Sequence, residues 1–162
     1  MKRLVAVVLL ASALLSILGA APYLGVAQSV TSTSVEVGYL TNSIDQNLSL
    51  SMPLLGSLES SQGWYATPVA SMNILYKGKV GPTFAIGVGP TLRMGWEFEK
   101  ALGLQAGLLV QLSLEAPAVM DILFLELAYL PQWFAWMGGT PSSGLLKKSI
   151  TDFVRFGYRH AF

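Results

Sequence analysis

Residues 82–99 alternate without a break. Phe84, Ile86, Val88, Pro90, Leu92, Met94, Trp96 and Phe98 occupy one parity, and Thr83, Ala85, Gly87, Gly89, Thr91, Arg93, Gly95, Glu97 and Glu99 the other. A helix gathers residues three and four apart on one face and would mix these sets, whereas a strand separates them. Residues 101–115 repeat the pattern with Leu102, Leu104, Ala106, Leu108, Val110, Leu112 and Leu114, and only Leu109 interrupts the opposite row. Soluble strands average about five to six residues, and a tilted membrane-crossing strand needs about nine to eleven. Both segments exceed the longer figure, which predicts an all-β fold with strands of membrane-crossing length.

Weaker alternation marks strands at 32–40, 46–55, 63–77, 118–130 and 149–162, with a short aromatic strand at 132–137, for a total of eight. Asp121 falls on the apolar parity of its segment and is expected above the membrane. Pro90 is expected at a bulge or strand end. The composition fits strands better than spanning helices: the 162 residues are 52% hydrophobic and 12% charged, yet 16 Gly and 8 Pro are spread through them. With no cysteine, disulfides, thiolate nucleophiles and cysteine metal sites are excluded. A formal charge of +1 offers no electrostatic footprint for nucleic acid.

The N-terminus reads as an export signal over residues 1–27, followed by a barrel over 28–162. Lys2 and Arg3 precede the apolar stretch 4–18, and small residues at Gly25 and Ala27 suit cleavage after Ala27. Cleavage after Ala20 or Ala21 and an uncleaved anchor are the alternatives.

Alternating strands can close in two senses. A lipocalin-like barrel keeps its apolar row inside around a ligand, and an outer-membrane barrel turns it outward to lipid. Glycines at 87, 89, 95, 103 and 107 would weaken strands on a solvent face, but a narrow interior needs small residues. The polar row is therefore expected inside, in an eight-stranded antiparallel up-and-down barrel. By parity the interior holds Glu36, Arg93, Glu97, Glu115, Glu126, Arg155 and Arg159, with Arg93–Glu97 and Glu36–Arg155 as expected pairs. These charges either fill and lock the lumen or line a constricted ion path. With 32–40 as the first strand, residues 56–62, 99–100 and the turn around Pro131 fall in the periplasm. Residues 41–45, 78–81, 116–117 and 138–148 then fall outside. Trp96, Phe98 and Phe162 are assigned to the periplasmic aromatic girdle and Tyr39 and Tyr76 to the outer one. Trp133, Phe134 and Trp136 read as an interfacial belt, and Lys147 and Lys148 as loop residues able to meet lipopolysaccharide.

Signals for catalysis are sparse. The only histidine, His160, lies on the lipid-facing parity with no evident carboxylate partner. Neither a metal-binding cluster nor a phosphate-cradling loop is apparent, and no cofactor is expected.

The C-terminus Arg155-Phe156-Gly157-Tyr158-Arg159-His160-Ala161-Phe162 resembles the assembly signal of bacterial outer-membrane proteins, carried by Gly157, His160 and Phe162. His160 stands where an aromatic is usual. In size and strand number the chain is similar to the small eight-stranded OmpA/OmpX-type barrels. The resemblance implies insertion by the outer-membrane assembly machinery into a membrane of lipid and lipopolysaccharide. The function expected is a structural, non-catalytic envelope role. A narrow channel or small-solute carrier is the alternative, and a secreted lipocalin-like binder the second.

Overall fold

The alternation read from the sequence becomes nine strands in a computed structural model, which describes residues 20–53, 68–97, 101–116, 118–130, 133–137 and 153–162. They are β1 (Ala21–Gln28), β2 (Ser32–Leu40), β3 (Ile44–Pro53), β4 (Val69–Lys79), β5 (Phe84–Glu97), β6 (Ala101–Ala116), β7 (Asp121–Tyr129), β8 (Trp133–Met137) and β9 (Val154–Ala161). Each strand from β1 to β6 pairs antiparallel with the next in chain order, β7 pairs with β9, and β9 with β1. The sheet of β1–β7 and β9 therefore closes on itself.

Eight ring positions accommodate nine strands because β7 and β8 share one. β7 pairs with residues 108–116 of β6, and β8 continues along the same edge, from Gln105↔Trp133 to Leu102↔Met137. The sequence between them contains Pro131, which has no N–H to give a ladder. Segment 132–137 is thus not a separate ring strand. The place counted for it is taken by β1, within residues 1–27 that the sequence assigned to the export signal. The barrel starts at Ala21 rather than Gln28; residues 1–19 lie outside the described residues.

This earlier first strand exchanges the two ends of the barrel relative to the sequence expectation. Ala21, where β1 begins, and the C-terminal Phe162 lie at one end, the terminus end, together with the short connections 41–43 and 80–83 and residues 118–120. At the opposite end lie 29–31, the end of β3 and start of β4, separated by 15 residues of sequence, the end of β5 and start of β6, and the end of β8 and start of β9, separated by 16. Tyr39, Tyr76 and Phe162 accordingly share the terminus end, whereas β5 carries Trp96 to the other. Pro90 lies within β5 rather than at its end. Pairing to β4 lapses at Gly89 and Pro90, between Tyr76↔Val88 and Asn73↔Thr91, while pairing to β6 continues. A Cβ on Gly89 would run into the carbonyl of Ile74, so close strand approach requires glycine there.

The polar row faces in. Ser32, Ser34, Asn47, Ser49, Ser51, Ser71, Asn73, Thr91, Gln105, Gln111 and Ser113 are all buried. Large apolar side chains such as Leu24, Val35, Leu48, Met72, Val88, Leu108, Leu123 and Phe156 are exposed on the outside. Among the described residues, polar side chains on the outer row occur only near the strand ends: Gln28 and Thr33 at one end, Gln46, Asp121 and His160 at the other. Between them runs an apolar band. Leu109, the one exception to alternation in β6, turns inward and packs with Leu75, Ala128 and Leu130.

Candidate functional site: the charged lumen

Arg159 organises the interior. Its Nε donates to Glu36 Oε2 at 2.9 Å, Nη1 to Asp45 Oδ2 at 2.6 Å, and Nη2 to Glu126 Oε1 at 3.1 Å. The guanidinium thus uses its planar fork to bridge carboxylates from β2, β3 and β7. It also lies 4.0 Å from the ring centre of Phe124 and 5.0 Å from that of Tyr23, within cation–π range of both. Tyr23 in turn donates its hydroxyl to Asp45 Oδ1 at 2.6 Å. With its amide oxygen toward Arg159, Gln111 accepts from Nη1 and Nη2 and donates to Asp45 Oδ2 at 3.2 Å.

Arg155, two luminal positions earlier on β9, donates to Glu126 Oε2 at 2.5 Å, and its Nη2 lies 4.0 Å from Glu36 Oε1. The expected Glu36–Arg155 pair is therefore present as the longer contact, because Arg159 holds Glu36 more closely. Arg93 is buried in the lumen and adds its field at Glu126. Among the described residues three arginines thus face three carboxylates, Glu36, Asp45 and Glu126, and their formal charges balance. Charges taken out of water are tolerated only when such compensation is nearly complete. The side chain of Glu97, the expected partner of Arg93, lies outside the described residues. Glu115 also faces inward, but it pairs with Lys77 nearer the terminus end, apart from the arginine cluster.

Large side chains fit this narrow interior because glycines lie beside them. Gly25 stands between Glu36 and Arg159 in register, and a Cβ on it would come within 2.7 Å of Arg159 Cγ. Gly157 performs the same service for Phe124, whose ring would collide with a Cβ there. Gly157, read from the sequence as part of the assembly signal, therefore has a packing role within the barrel.

Asp45, Lys77, Tyr23 and Gln111 were not among the charged or site residues read from the sequence. Asp45 and Lys77 continue the luminal parities of Asn47-Ser49-Ser51 and Ser71-Asn73. Extending those strands towards their ends would have found both. Tyr23 was hidden by the export-signal assignment.

His160 does have a carboxylate partner: its Nδ1 lies 2.8 Å from Asp121 Oδ1, which also accepts from the Tyr158 hydroxyl at 2.6 Å. The sequence reading placed residues 117 and 160 at opposite ends, whereas Asp121 and His160 are direct partners between β7 and β9. An ionised carboxylate only accepts, so Nδ1 carries the proton. The two donors, His160 first and Tyr158 second, hold the Asp121 carboxyl below the usual carboxylate range. Leu24 flanks His160 on the other side, and Phe162 meets its ring edge-on at 5.1 Å between centres. Among the described residues no group of three or more His, Asp or Glu side chains is placed to hold a metal ion.

No family model, curated protein or solved structure matches the chain.

Proposed function

We propose that this protein is a barrel of the bacterial outer membrane with a structural, non-catalytic role in the envelope. The observation carrying this reading is the reversed distribution of polarity: apolar side chains are exposed around the wall while the charged and hydroxyl-bearing ones are buried inside. A water-soluble barrel with that wall would expose an apolar area far larger than soluble monomers carry. A lipid-facing wall requires it, together with a sheet that closes on itself. The end-to-end asymmetry supports the same reading, since outer-membrane barrels have short periplasmic turns and longer external loops. The terminus end, with connections 41–43 and 80–83 and residues 118–120, is then periplasmic.

Interior chemistry favours a structural role over a wide pore, because Arg159, Tyr23, Phe124 and Gln111 cross the lumen among their partners. Eight-stranded barrels have interiors that side chains can fill. The test is membrane fractionation followed by electrophoresis with and without boiling, then planar-bilayer recording. Recovery with the outer membrane, a heat-dependent mobility shift and no steady conductance are expected. A monodisperse protein in detergent-free buffer would overturn the membrane assignment, and open conductance would replace the structural role with a channel.

A further inference from the structure

Ring closure constrains where the chain can be cut. β1 holds the ring shut from Ala21 onward: Ala21 pairs with Leu40, Tyr23 with both Gly38 and Ala161, and the Pro22 carbonyl accepts from Phe162 N–H at 2.9 Å. Ala20 stands just before the first of these rungs. The three small residues able to end an export signal, Ala20, Ala21 and Ala27, are therefore not equivalent. Hydrolysis after Ala27 would discard all of β1 but Gln28. Tyr23 would go with it, and so would Gly25, the residue that makes room for Arg159 beside Glu36. β2 and β9 would be left as unpaired edges.

Hydrolysis after Ala21 removes a single rung, which the ring tolerates, but the bond itself is unsuitable. Its nitrogen belongs to Pro22. An enzyme that grips an extended peptide draws on main-chain hydrogen bonds, and Pro22 has no N–H to give and a fixed φ. The bond before it, between Ala20 and Ala21, is an ordinary secondary amide that follows the apolar stretch 4–18 almost directly.

We propose that the Ala20–Ala21 bond is the processing site of this protein, cut by an endopeptidase that removes export signals, with Pro22 confining the cut to that bond. Water is the co-reactant. Its oxygen bonds to the Ala20 carbonyl carbon, the C–N bond breaks, and a proton passes to the departing Ala21 nitrogen. The new α-ammonium is not a buried charge, because Ala21 lines the open mouth of about 330 Å³ at the terminus end. The processed chain then begins with β1 complete. The inference rests on the envelope reading, since only an exported chain meets such an enzyme.

Expression of the full chain in a bacterium with an outer membrane provides the test, with N-terminal sequencing and intact mass of the protein from each cell fraction. The membrane fraction is expected to yield a chain beginning at Ala21. Ala20→Phe, which alters the residue before the scissile bond and precedes every rung, should leave the 162-residue precursor uncut. Pro22→Ala, which supplies the missing N–H, should give a mixture of chains beginning at positions 21 and 22. An unaltered protein beginning at position 22 or 28, an Ala20→Phe chain still cut at the same bond, or a Pro22→Ala chain beginning only at position 21 would each overturn the proposal. An uncut chain recovered with the outer membrane would overturn the proposal and leave the envelope reading standing, whereas an uncut chain in the soluble fraction would overturn both.

Discussion

Arg159 and Glu36 are separated by 123 positions in the chain, yet they meet at 2.9 Å across a single intervening strand. The residue between them in register is Gly25. The bridge therefore depends as much on a missing side chain on β1 as on the two charges. A methyl group at position 25 would press on Arg159 Cγ at 2.7 Å and on the Tyr158 carbonyl at 2.9 Å. The first can move and the second cannot. Gly25→Ala should cost about 1–3 kcal/mol, as overpacking generally does. Urea unfolding in detergent, followed by tryptophan fluorescence, measures it; an unchanged midpoint would show that Arg159 does not lie over Gly25.

Removing one carboxylate from the arginine cluster should be far more damaging than removing a charge at the rim. Glu126 accepts from both Arg155 and Arg159 and is almost completely buried. Glu126→Ala leaves two buried guanidinium groups short of a partner and should cost about 3–5 kcal/mol. Lys79→Ala, which removes a half-exposed side chain, should stay within about 1 kcal/mol. Comparable losses for the two variants in the same unfolding assay would mean that the cluster is not desolvated.

Thr91 offers a test of opposite sign. Its hydroxyl is buried with no hydrogen-bond partner among the described residues. Replacing an unsatisfied hydroxyl by a methyl group of similar shape removes a desolvation cost of about 1–3 kcal/mol. Thr91→Val should therefore stabilise the barrel, seen as a higher unfolding midpoint. A lower midpoint would reveal a hydrogen bond from internal water.

The rim seam between β7 and β9 should weaken in acid. Bonds from His160 and Tyr158 lower the Asp121 pKa in the folded protein, so the folded state binds fewer protons here than the unfolded chain. The resulting stabilisation is present above the ordinary carboxylate pKa and is lost as pH falls through the depressed folded value. Hydrogen exchange at the amides of 121–123 and 158–160 should accelerate across that window. In Asp121→Asn this acid-dependent component should disappear, and a persistent acid limb would assign it to another group.

Strand β1 can be tested by truncation. It pairs with β2 on one side and with β9 on the other, so its loss exposes two strand edges and removes Tyr23 from Asp45. A chain beginning at Ala21 should refold in detergent with a heat-dependent mobility shift, and one beginning at Gln28 should not. If the shorter chain folds equally well, ring closure does not depend on β1.

Local pattern determined much of this protein before any tertiary contact was known. Strict period two in 82–99 and 101–115 set strand type and face, because a pleated backbone sends neighbouring side chains to opposite sides. The luminal placement of Glu36, Arg93, Glu115, Glu126, Arg155 and Arg159 followed from that parity alone. Only the tertiary structure decided which strands make the ring and which charges meet. The apolar run at 4–18 obscured β1, since residues 21–28 are short, apolar and glycine-containing whether they end a signal or enter a sheet. Closure resolves the ambiguity: a sheet with β1 missing has two unpaired edges, a global property that no local window contains. Partner choice is global for the same reason. Arg159 reaches Glu36, Asp45 and Glu126 through strands brought together by closure and register, and through the space left by Gly25.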